Sequence, residues 1–201
     1  MVAASPIRFY FDFNSTFSYL AIQRIDDIAT AHGRRVDWRA LSLGHLFQAQ
    51  GIAPPPTIPA KFAYLATDFA RSCEMAGLPH RLPAPFPPDV KLARQLFWYL
   101  KARDEMRAHV YARAVSRAVF GQGHAVATQA QILAVLADGP EVSEADVAAA
   151  ATDAVAKQAV VTCLEDAKAD GVIGAPFMIL DGEPFWGADR LEHLIRRLAS
   201  A

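Results

Sequence analysis

Between Phe9 and Ala40 the spacing of apolar positions changes twice. Phe9-Tyr10-Phe11-Asp12-Phe13 is an almost unbroken aromatic run, and aromatic residues favour a pleated, buried strand. Asn14 to Thr16 then supply turn and N-cap chemistry. From Phe17 to His32 the pattern turns helical, with Leu20, Ile25, Ile28 and Ala29 near one face and Gly33 as a C-terminal stop. Val36-Asp37-Trp38-Arg39-Ala40 alternates apolar and polar. The pattern predicts a β–α–β unit with parallel strands and a right-handed crossover. A dinucleotide-binding reading would need glycines at the first turn, and this turn holds hydroxyls instead.

The next hundred residues keep a helical period. Gly44 to Gly51 is a short helical piece, and the prolines of Ile52 to Pro59 forbid regular helix. From Pro59 to Gly77, Phe62, Ala66, Phe69, Cys73 and Ala76 fall at intervals of four and three, an amphipathic helix. Further helices are predicted over Asp89–Met106, Arg107–Gly121, Thr128–Ala137 and Thr152–Ala169, and Ser143 with Asp146 marks a capping-box start. Strand chemistry returns at Phe177-Met178-Ile179-Leu180, followed by the hairpin signal Asp181-Gly182 and a short last strand, Glu183 to Gly187. Leu191, Leu194, Ile195 and Leu198 give a final helix its inward face.

Composition narrows the function classes. With 201 residues, 53% of them hydrophobic, the chain can bury a large core as one domain or one domain carrying an insertion. Its 20 basic and 21 acidic residues balance to −1 without a basic run, so nothing advertises nucleic acid or an anionic membrane. The uncharged stretches Ala40–Ala60 and Ala118–Ala137 carry prolines or Gly, Gln and His, so no membrane span is expected. Met1 to Pro6 lacks the regions of a secretory signal, and the expected location is cytoplasmic. Cys73 and Cys163 are read as separate, buried free thiols. The six histidines show no ligand-pair spacing, so no metal site is expected. Ser15 lacks the flanking glycines of a nucleophile elbow.

The chemistry gathers at the first turn. A strand-to-helix junction aims backbone N–H groups beyond the strand's end, which suits an anion or a thiolate. Ser15-Thr16-Phe17-Ser18 has the spacing of a Cys-x-x-Cys redox pair with both thiols replaced by hydroxyls. Such a site stabilises a thiolate it does not own, and a hydroxyl is a suitable donor to a borrowed one. Ser15 also has a purely structural reading, as the N-cap of its own helix.

Phe-Asp-Phe-x-Ser-x-Phe-Ser-Tyr-Leu resembles the opening of the 2-hydroxychromene-2-carboxylate isomerases, relatives of the kappa-class glutathione transferases in the DsbA-like branch of the thioredoxin fold. Lys61, Tyr64, Asp68 and Arg71 match that family's Lys-x-x-Tyr-x-x-x-Asp-x-x-Arg. Gly174-Ala175-Pro176 resembles the thioredoxin cis-proline loop, and Trp186-Gly187-Ala188-Asp189-Arg190 resembles the family's Trp-Gly-x-Asp-Arg.

The resemblance implies an α/β thioredoxin-like fold with a large all-helical insertion. Residues 1–43 and 171–201 form the thioredoxin-like part, β–α–β then β–β–α, and residues 44–170 form the insertion with the helix that returns to the sheet. It implies a glutathione-dependent isomerase in which Ser15 stabilises the cofactor thiolate, the substrate is a small aromatic-derived carboxylate and the protein is a homodimer. Ser15, Ile52, Lys61, Ala175, Pro176, Ala188 and Asp189 are the implied glutathione contacts, and Phe17, Tyr64 and Trp186 the substrate pocket. Thr16 stands where Pro is common, Ile52 where the kappa class has Asn, and Ala188 where a hydroxyl or amide is usual. A kappa-like transferase and a non-catalytic thiol- or peptide-binding protein are the alternatives.

Overall fold

The computed structural model describes residues 5–137 and 139–200, so the reading of Met1 to Pro6 falls mostly outside it. Strand β1 (Ile7–Phe11) leads into α1 (Thr16–Ile22), α2 (Ile25–Ala31) and β2 (Val36–Ala40). The helical stretch holds α3 (Leu43–Gln50), a 3₁₀ turn over Pro55–Thr57, α4 (Pro59–Met75), α5 (Lys91–Lys101) and α6 (Glu105–Ser116), which runs into a π-helical turn over Arg117–Gly121. It continues through α7 (Gln129–Val135), α8 (Glu144–Thr152) and α9 (Ala154–Ala169). The chain closes with β3 (Phe177–Leu180), β4 (Glu183–Trp186), a 3₁₀ turn over Ala188–Arg190 and α10 (Leu191–Ala199).

The sheet has the order β2-β1-β3-β4, with β1 and β2 parallel and β3 antiparallel to both its neighbours. Its alternating side chains serve two helical layers. Phe9 and Phe11 point to one face, where Trp38 meets both rings edge-on at 5.2 and 5.4 Å, and Phe97 of α5 meets Phe11 at 5.2 Å. Tyr10, Phe177 and Ile179 point to the other face and pack with Leu46 of α3 and with Cys163 and Ala167 of α9. One continuous core joins Phe9, Phe11 and Phe13 to Leu96, Phe97 and Tyr111 of the helical stretch. No single helix among the described residues is long and apolar enough to cross a membrane.

Several boundaries differ from the sequence reading. The first strand ends at Phe11, and Asp12 and Phe13 belong to the turn. The helix expected over Phe17–His32 is two helices. At the break, Gln23 donates its side-chain amide to Arg113 O and Ser116 Oγ of α6, at 3.2 and 3.1 Å. The break also lets α2 present Asp26 to Trp38 Nε1 at 2.8 Å. The helices expected over Asp89–Met106 and Arg107–Gly121 are α5 and α6. Their boundary falls at Asp104, which caps α6 by accepting from Arg107 N at 3.0 Å. The capping box at Ser143 and Asp146 is present.

Candidate active site

The turn after β1 is organised by Asp12, a residue that sequence reasoning passed over. It is fully buried. Its Oδ1 accepts from Arg94 Nη2 at 2.7 Å and from Asn14 N at 3.1 Å, while its Oδ2 accepts from Leu43 N at 2.7 Å. One carboxylate therefore ties together the Ser15 turn, the start of α3 and helix α5. A carboxylate among aromatic rings must be paired, because burying it alone is prohibitive; that was the available signal, though it names no partner. Arg94 is buried as well, so this is an ion pair withdrawn from water.

Ser15 sits on this base as the N-cap of α1. Its Oγ accepts from Ser18 N at 3.0 Å and donates to the Ala175 carbonyl at 2.9 Å. Ser18 Oγ in turn accepts from Asp12 N at 3.3 Å. The N-cap role of Ser15 is present, and the same hydroxyl also bridges to the loop before β3. Helix α1 spans seven residues, less than half of the sixteen-residue stretch read as one helix from sequence.

The loop before β3 forms the facing wall. The Ala175-Pro176 peptide is cis, as the sequence resemblance implies, and Pro176 O accepts from Gly187 N at 2.9 Å. The Trp186 indole closely approaches Gly174. A β-carbon built there would stand 2.6 Å from the indole Nε1, so any larger residue would displace the Trp186 ring. Ala188 is half-buried against the main core, and Asp189 is exposed beside Arg190, whose Nη1 lies 3.4 Å away. The turn carrying both packs against α1.

Ser15, Ala175, Pro176, Trp186, Ala188 and Asp189 thus share one end of the sheet, while the other predicted residues lie around it. Ile52 follows α3 and is 48% exposed; α3 is held to the facing wall by Gln50 Nε2, which donates to Val172 O at 3.0 Å. Lys61 and Tyr64 lie on the exposed side of α4, which packs on α1. Among the described residues neither bonds to the Ser15 turn. Phe17 is half-buried, packed on the main core with part of its surface left open.

Neither cysteine adds a thiol to this site. Burial pushes the Cys73 thiol up to about 12, helped by Glu74, and burial does the same for Cys163. A cavity of about 690 Å³ lies elsewhere, between β2, α5 and α9, with none of the predicted site residues in its lining. Its floor is a compensated ion network. Burial alone would raise the Asp37 carboxyl, but Lys101 and Arg39 outweigh it and hold the group below the usual carboxylate range. Charges already matched in this way offer little to a charged ligand.

Residues 6–199 match the family model described as the DSBA-like thioredoxin domain. The 2-hydroxychromene-2-carboxylate isomerase of Pseudomonas putida is 30% identical over 193 residues, covering 92% of this chain and 90% of the relative. The chain belongs to the 2-hydroxychromene-2-carboxylate isomerase family. It is an isomerase on the DsbA-like thioredoxin fold. The family's enzyme from Sphingobium xenophagum is 28% identical, with 94% of this chain and 95% of the relative covered. A solved selenomethionine 2-hydroxychromene-2-carboxylate isomerase superposes with a TM-score of 0.82 at 27% identity, covering 98% of this chain and 95% of the other.

Proposed function

We propose that the protein interconverts 2-hydroxychromene-2-carboxylate, or a closely similar aromatic-derived carboxylate, and trans-o-hydroxybenzylidenepyruvate with glutathione as cofactor. The observation that carries this reading is the Ser15 hydroxyl, held 2.9 Å from the Ala175 carbonyl at the end of the sheet. The donor set fits a thiol tripeptide. Ser15 offers a proton to sulfur, Ala175 a carbonyl to a backbone N–H, Asp189 a carboxylate to an ammonium group and Lys61 an ammonium to a carboxylate. Ile52 and Ala188 contribute contact area without polar side chains.

Bound glutathione supplies a thiolate that adds reversibly to a conjugated system, making a double bond rotatable. An unperturbed cysteine thiol, with a pKa near 8.5, is only a few per cent ionised at about pH 7. A hydrogen bond from Ser15 to the charged form favours ionisation. Ser15 is thus a thiolate stabiliser and not a nucleophile. Phe17, Tyr64 and Trp186 supply apolar and aromatic surface for the substrate ring. The family resemblance extends the proposal to a homodimer acting in the cytoplasm.

The test is calorimetric titration with glutathione of the wild type, Ser15→Ala and Ala188→Ser, followed by assay of the isomerisation. Saturable millimolar-range binding and glutathione-dependent turnover that collapses in Ser15→Ala are expected. Turnover undiminished without any thiol sinks the proposal. Thioether products that leave the protein instead would mark a kappa-like transferase.

A further inference from the structure

Ser15 carries one hydroxyl proton, and that proton is already committed. Its Oγ donates to Ala175 O at 2.9 Å while accepting from Ser18 N at 3.0 Å. A serine hydroxyl has a single donor. If Ser15 stabilises a thiolate, as proposed above, the proton must leave the Ala175 carbonyl. The Ser18 contact remains in place as it does so, because rotation about the Cβ–Oγ bond re-aims the hydrogen without moving the oxygen. What is left behind is a carbonyl on a half-buried residue with no donor, a state that opposes the rotation.

An incoming ligand removes that opposition if it brings its own donor to Ala175 O. The backbone N–H of a thiol-bearing residue, laid along the loop as an added strand, is such a donor. We infer that the Ala175 carbonyl is a specificity determinant that couples thiol activation to a peptide N–H. The site selects peptidyl thiols, whose amide replaces Ser15 at Ala175 and releases the hydroxyl proton to the sulfur. The thiol's own proton departs to solvent. A simple alkyl thiol of the same acidity brings no N–H and leaves the hydroxyl on the carbonyl.

This inference rests on the glutathione reading, and one experiment separates the two. The ionisation of bound thiol is followed by ultraviolet thiolate absorbance against pH, with binding measured by calorimetry. Wild type and Ser15→Ala are each titrated with glutathione and with its depsipeptide analogue, in which oxygen replaces the cysteinyl N–H. Ser15→Ala is expected to lower the ionisation constant of bound glutathione about tenfold and that of the bound analogue less than about twofold. Ser15→Thr keeps both the cap and the proton and should preserve the wild-type contrast, which controls for damage to the fold. Equal losses with the two ligands overturn the coupling while the glutathione reading stands. So does failure of the analogue to bind wild type and Ser15→Ala alike, since Ala175 would then select without involving the hydroxyl. Absence of saturable glutathione binding by the wild type overturns both.

Discussion

The Ser15 turn and the rim around it are held in opposite ways. At the turn Asp12 receives three donors from three segments, and both hydrogen-bonding directions of Ser15 are used. On the rim Ile52, Tyr64 and Trp186 are 48%, 65% and 54% exposed. Removing one bonded group from the turn leaves other buried polar atoms without partners, whereas trimming the rim removes only contact area. The hydroxyl proposed for the chemistry stands on over-determined backbone, and the surface that would choose the substrate can change without endangering the fold.

The largest break in that comparison is Arg94→Met, which strands the buried Asp12 carboxylate. Losing one partner of a buried pair costs about 3–5 kcal/mol, to be read from urea unfolding. A loss under about 1 kcal/mol would show that the turn does not depend on the pair. Replacing both partners, Asp12→Asn with Arg94→Met, should cost less than the sum of the two single changes. Ser15→Ala comes next. Its lost cap is worth about 1 kcal/mol of stability, while isomerase turnover falls by about tenfold or more as thiolate stabilisation is lost.

Ile52→Ala and Tyr64→Ala sharpen the other side. Each should move stability by less than about 0.5 kcal/mol, yet raise the substrate KM with little change in kcat. A destabilisation equal to that of Ser15→Ala would erase the distinction between turn and rim. The smallest response belongs to the protein's own thiols. With pKa values of about 12, Cys73 and Cys163 are ionised to only about one part in ten thousand at pH 8. The native protein should resist alkylation over a time in which a denatured sample reacts fully.

Local pattern carried most of the fold. The β1 run, the amphipathic α4 and the hairpin at Asp181-Gly182 each announce themselves within a few residues, because period and turn chemistry are local properties. The helix break at Gln23 was illegible, since the acceptors its side chain meets there lie on α6, about ninety residues away. Asp12 suffered the same way: its aromatic neighbours suggested strand, and the guanidinium that allows its burial lies 82 residues on. Ser15 and Ala175 are separated by 160 residues. Only the resemblance of two distant motifs to one family placed them at a common site.

The position of β1 has a kinetic consequence. It is an interior strand, bonded to β2 on one side and β3 on the other, and its Phe9 and Phe11 rings anchor the main core. Amide protons of such a strand exchange with solvent only through the largest opening events the molecule undergoes. Native-state deuterium exchange should therefore find Phe9 to Phe11 among the slowest amides, with the exposed turns around Ile52 exchanging far sooner. The segment that delivers Ser15 would be among the last to open, so the rim can breathe to admit and release ligands while the hydroxyl stays at its post.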